Sequence, residues 1–189
     1  MAPRLRPVVL PPAVAMVNGV SSDMSHARTT AGDLAGAVHQ QFLTFKLAGE
    51  EYGVGILTVQ EIRGWSAVTA IPHSPPWVLG VIDLRGVVVP VIDLRRRFEL
   101  APAEFGPATV VIVIRVNAGN EERTVGLVVD AVSEVYDIDA SAFRQLPDLG
   151  SSAASEVVNG LAHTDGKTVI LLDAHRLAAC ASSARGMVQ

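Results

Sequence analysis

Four aspartates, Asp83, Asp93, Asp130 and Asp173, and five histidines, His26, His39, His73, His163 and His175, are the first places to look for proton transfer or metal binding. Acid–base catalysis needs titratable groups that converge on one reacting atom. Zinc needs His and Cys at short ligand spacings. The aspartates instead stand at the ends of Val/Ile-rich runs, where Asp serves as a cap or turn former. The histidines are scattered, and neither a dyad nor a zinc pattern emerges. No catalytic site, no metal and no cofactor is therefore expected. The single cysteine, Cys180, reads as a small apolar residue on a helix.

The stretch from Pro72 to Phe98 points to a different chemistry. Two Val/Ile-rich runs flank Arg85-Gly86, the signature of a β-hairpin with a two-residue turn. Such a turn needs positive φ at both central residues, which suits Asn, Asp or Gly better than Arg. An Arg held there places a guanidinium on a loop tip, where it can grip a partner's carboxylate with two parallel hydrogen bonds. Val59 and Glu61 are two residues apart on an extended segment. They are expected to share a face, an apolar residue beside a carboxylate. Val59, Glu61, Arg85 and Gly86 are the candidate partner-binding residues. Their alternative roles are core packing for Val59, a solvated or Arg-paired carboxylate for Glu61, and plain turn geometry for the hairpin tip. Trp65 and Trp77 read as loop anchors or as interface contacts. Arg95-Arg96-Arg97 reads as a solvated face, or as a cationic patch that steers association.

The elements that position these residues follow from composition. The 189 residues are 49% hydrophobic and only 5% aromatic, so the core is aliphatic and leans toward β-structure. Its longest apolar runs are far shorter than the roughly 20 residues that span a bilayer. The net charge of −4 weighs against nucleic acid. One cysteine and no strong export signal fit a reducing cytoplasm. Residues 1–37 read as a disordered tail in which Pro7, Pro11 and Pro12 break any signal-peptide helix. Met16 and Met24 are alternative starts within it. Residues 182–189 read as a second tail.

An internal repeat organises the rest. Tyr52–Ile62 aligns with Val125–Val135 at an offset of 73, matching Gly53 to Gly126, Val59 to Val132 and Glu61 to Glu134. Gly80–Asp93 aligns with Gly160–Asp173 at an offset of 80, matching Gly86 to Gly166 and, further on, Arg96 to Arg176. The shift places an insertion in the Gly150–Ser155 loop. Each half, about 40–105 and 108–181, holds an opening strand, a turn, a long bent extended segment and a closing hairpin. About five short strands per half imply one small barrel per half. Pro90 marks an edge or bulge. Arg95–Phe98 reads as a helical turn, and Asp173–Ala181 as a short terminal helix.

The pieces YGVGILTVQEIRGW, VLGVIDLRGVVVPVIDLRRRF, VGLVVDAVSEV and TVILLDAHRL, in this order, resemble the CheW family of chemotaxis coupling proteins over residues 41–179. The resemblance implies an all-β fold of two SH3-like five-stranded barrels around a shared core, filling 38–181. It implies a non-catalytic adaptor in the cytoplasm, at the membrane-associated receptor array. The implied partners are a CheA-type histidine kinase and the helical hairpin tip of a chemoreceptor. A non-flagellar array, such as one controlling pili, is the alternative wiring. The chain departs from the family's usual Asn-Leu-Arg-Gly by reading Asp83-Leu84-Arg85-Gly86, which adds a charge that tunes partner choice.

Overall fold

The computed structural model describes residues 39–118, 121–145 and 154–182. The tails expected at 1–37 and beyond Ser182, and the greater part of the 150–155 loop, lie outside the described residues. The first half forms β1 (His39–Leu47), β2 (Glu50–Gly55), a 3-10 turn at Ile56–Thr58, β3 (Val59–Gly64), β4 (Val78–Leu84), β5 (Val87–Asp93) and α1 (Leu94–Arg97). The second forms β6 (Val110–Ala118), β7 (Glu121–Val129), β8 (Ala131–Asp139), a 3-10 turn, β9 (Phe143–Arg144), β10 (Val158–Thr164), β11 (Lys167–Leu172) and α2 (Ala174–Ser182). Strands form where β-branched residues alternate with smaller or polar ones. β4 buries Val78, Gly80, Ile82 and Leu84 while Asp83 faces solvent, the period-2 pattern of a half-buried strand.

The strands build two sheets, in the orders β8-β1-β2-β11-β10-β9 and β3-β6-β7-β5-β4. The expected two-barrel fold is present, the first sheet gaining the two-residue β9 at its edge. The expected assignment of one barrel to each half is not. Each sheet takes its opening pair of strands from one half and its remaining strands from the other. Parallel pairing of β2 with β11 and of β5 with β7 stitches the halves together. The cause lies in the long bent segment. Between β2 and β3 stand only the three residues of a 3-10 turn, and between β7 and β8 only Asp130. Neither link supplies the two-residue positive-φ turn that folds a strand back on its predecessor. The chain therefore runs on into the neighbouring sheet.

Three apolar clusters follow from this exchange. One barrel encloses Ile82, Leu84, Val89, Val91, Val111, Val113 and Val128. The other encloses Phe42, Tyr136, Ile138, Ala162, Val169 and Leu171. The largest lies between the sheets and helices, with Phe45, Leu47, Ile92, Leu94, Ile112, Ile114, Leu127 and Leu177 at its centre. The repeat recurs here in hydrogen bonds. Asp93 N–H donates to the Trp77 carbonyl and Asp173 N–H to the Val157 carbonyl, each at 2.8 Å. Asp93 Oδ1 caps α1 by accepting from Arg95 and Arg96 N–H, and Asp173 Oδ1 caps α2 by accepting from His175 and Arg176 N–H. Gly80 and Gly160 are alike too. A Cβ on Gly80, at φ +149, would collide with the Thr69 carbonyl, and one on Gly160 would sit 2.7 Å from the Arg144 carbonyl oxygen.

Candidate functional site

The two-residue turn between β4 and β5 is closed by Arg85 at φ 53 and Gly86 at φ 86. Both lie in the left-handed region, as a turn of type I′ demands. The chain stores strain at Arg85, since a side chain in this region costs about 1–2 kcal/mol relative to the ordinary helical region. The result is a guanidinium thrust into solvent, its side chain 87% exposed. Arg85 Nη2 lies 3.8 Å from Glu61 Oε2 on β3. A pair this long and this exposed contributes at most about 1 kcal/mol. Arg85 can therefore exchange Glu61 for a better-placed carboxylate at little cost.

Glu61, Arg85 and Gly86 thus come together at one end of the β3-β6-β7-β5-β4 barrel. Val59 does not join them. The pairing of β3 with β6 slips between Val59, opposite Ile114, and Glu61, opposite Val113. A β-bulge at this point spoils the strict alternation that puts residues i and i+2 on one face. Val59 turns toward the shared core with Ile114, whereas Val113 belongs to the barrel interior. The expected common face of Val59 and Glu61 is therefore replaced by two faces. Val59 is half-buried, and its outer flank lines a shallow groove of about 400 Å³ with Leu57, Gln60, Arg115 and Glu122. Arg115 Nε spans that groove, 3.2 Å from Gln60 Oε1 and 3.0 Å from Glu122 Oε1.

Several surface residues that pattern reading passes over border this region. Leu57 is 99% exposed, and Ile62, Val87 and Val88 are also open to solvent. Val87 and Val88 look like core from their run of valines. They begin β5 beside the turn, before it enters the barrel. Trp65 packs at a tilt against Phe105, with ring centroids 4.3 Å apart, and on the barrel cluster, so it anchors the loop that follows β5 and α1.

The three consecutive arginines have three fates, because successive residues on a helical turn point about 100° apart. Arg95 makes two hydrogen bonds to Asp130, Nε to Oδ1 at 2.7 Å and Nη2 to Oδ2 at 2.6 Å. The same Oδ2 accepts from Ala48 N–H at 2.8 Å. Asp130, the one-residue link between β7 and β8, thereby ties α1 to the β1–β2 turn. The Arg95 guanidinium holds the Asp130 carboxyl below the usual carboxylate range; burial opposes this and the Ala48 N–H adds to it. Arg96 pairs with Asp93. Arg97 is buried, its guanidinium carbon over the Trp77 ring at 5.2 Å from the centroid, and bonded to Glu156 at 2.6 Å. The expected solvated face is thus mostly structural. Cys180 lies 3.6 Å from Arg97 Nη2 and packs on the shared core.

Among the described residues no group of His, Cys, Asp and Glu is arranged to hold a metal ion, and no helix is long and apolar enough to cross a membrane. What the fold offers is a double-barrel scaffold with a projecting arginine and unpaired aliphatics around it. Comparison with known proteins gives this class its family. Residues 41–181 match the CheW-like domain. The chain belongs to that family, and with it to the scaffolding adaptors of chemotaxis. It is 44% identical over 149 residues to the chemotaxis protein CheW of Klebsiella aerogenes, covering 78% of this chain and 87% of that one. It is 36% identical over 138 residues to a probable chemotaxis protein CheW of Rhizobium etli, covering 73% and 86%. Among solved structures it resembles the scaffolding protein TtCheW from Thermoanaerobacter tengcongensis, with a TM-score of 0.65 and 32% identity over 71% of this chain and 89% of that one.

Proposed function

We propose that the chain is a non-catalytic coupler that joins transmembrane chemoreceptors to a CheA-type histidine kinase at the cytoplasmic face of a receptor array. Residues 38–181 act as one module of two pseudo-repeats, and signal passes as a coupling free energy between two docking surfaces. The observation that carries this reading is the Arg85 tip. A solvent-exposed guanidinium, loosely paired with Glu61, stands among exposed Ile62, Val87 and Val88. That combination suits an amphipathic helix bearing a carboxylate beside its apolar face, the mode in which a helical hairpin tip would dock. Val59, Glu61, Arg85 and Gly86 are the proposed contact residues, Val59 through the groove beside Leu57 and the others at the hairpin end. Pull-down of the wild-type chain and of Arg85→Glu by the receptor fragment and by the kinase tests the assignment. Loss of either partner supports it; full retention of both removes Arg85 from the interface.

A further inference from the structure

The two closing hairpins of the repeat solve the same turn in different ways. In the second, the left-handed positions are Asp165 at φ 50 and Gly166 at φ 72. Asp tolerates that conformation because its short polar side chain bonds locally. In the first, the equivalent position is Arg85, which has no such aptitude. The residue two before each turn position also differs, Asp83 in the first hairpin and His163 in the second. Asp83 Oδ1 accepts from Gly86 N–H at 2.8 Å, reaching across the turn. His163 has its ring 3.4 Å from Thr168 Oγ1 on the facing strand instead. A side-chain acceptor therefore appears in the hairpin whose left-handed residue is ill-suited to its place.

We propose that Asp83 is a positioning residue for Arg85. By accepting the Gly86 N–H it holds the strained turn in the one conformation that projects the guanidinium beside Glu61. This rests on the docking role of Arg85 given above. Asp83 is itself exposed, and it paces the strand opposite Val88, one step below the turn. An acceptor is what the turn requires, not a charge. An amide oxygen at this position serves equally, and a methyl group does not.

The test compares the full chain with D83A, D83N, R85A and D83A/R85A. Affinities for a receptor hairpin fragment and for the kinase are measured by titration, and amide exchange at Gly86 is followed by NMR. One exposed hydrogen bond corresponds to a factor of about 2–10 in an equilibrium. D83A is expected to weaken the partner that R85A weakens by about that factor, and to speed exchange at Gly86. D83N is expected to stay within about twofold of wild type, by the same conversion. D83A is expected to add nothing on top of R85A, since without the guanidinium there is nothing left to position. A merely structural role would move none of that last coupling. Wild-type affinity in D83A where R85A is impaired overturns the positioning role alone. So does D83N as weak as D83A, which would mean the charge acts on the partner directly. Unchanged affinity of R85A for both partners overturns the docking role of Arg85 and the positioning role with it.

Discussion

Replacing Asp130 by Asn should loosen the join between the two barrels by a measurable and pH-dependent amount. The carboxylate takes two hydrogen bonds from Arg95 and one from Ala48 N–H. The amide oxygen of Asn can keep the Ala48 bond and at best one weakened bond to Arg95. A hydrogen bond to a charged group contributes about 1.5–3 kcal/mol, discounted here because both side chains are partly open to solvent. A net loss of about 2 kcal/mol follows. For a domain of this size that lowers Tm by about 4–8 °C. The sign of the pH dependence follows from the depressed Asp130 carboxyl. A group with a lowered folded-state pKa contributes stability above its unfolded value of about 3.9 and loses it as pH falls through the lower folded value. The gap between wild type and Asp130→Asn should be full at pH 7 and shrink below about pH 4. Urea unfolding across that range measures it. A variant as stable as wild type at pH 7, or a gap that does not narrow in acid, refutes the account of Asp130 as an ionised staple.

Gly80→Ala should cost about 3 kcal/mol. Its Cβ meets the Thr69 carbonyl, which is held by reciprocal 2.9 Å bonds with Val81, and thermal unfolding reads the loss. Arg97→Ala should cost about 2–4 kcal/mol through lost packing and an emptied site over Trp77, with tryptophan emission shifting to the red. Asp93→Ala and Asp173→Ala should each cost about 1 kcal/mol, the similar values reporting that the caps of α1 and α2 are equivalent.

The repeat, the strands and the two helices could be read from the sequence because each leaves a local mark. The Asp165-Gly166 turn, the Asp93 and Asp173 caps and the valine-rich runs all act over a few residues. The exchange of strands between barrels leaves no such mark. β3 has the same pattern of side chains whether it follows β2 within one sheet or crosses to pair with β6. The decision lies in the three-residue link and in the parallel pairing of β5 with β7, contacts far apart in sequence. The bulge that separates Val59 from Glu61 is hidden for the same reason, since a register slip exists only relative to the partner strand. Arg85 was legible because an arginine in a positive-φ turn is out of place by backbone chemistry alone. Asp130 was not, because an aspartate at a strand end looks like any turn former until Arg95 and Ala48 are brought to it.

Coupling is tested most directly by kinase autophosphorylation with the purified chain, a CheA-type kinase and a receptor cytoplasmic fragment. A rise in activity that requires all three components and is lost with Arg85→Glu is the expected result. Kinase activity that is the same with and without the chain, receptor fragment present, would contradict it.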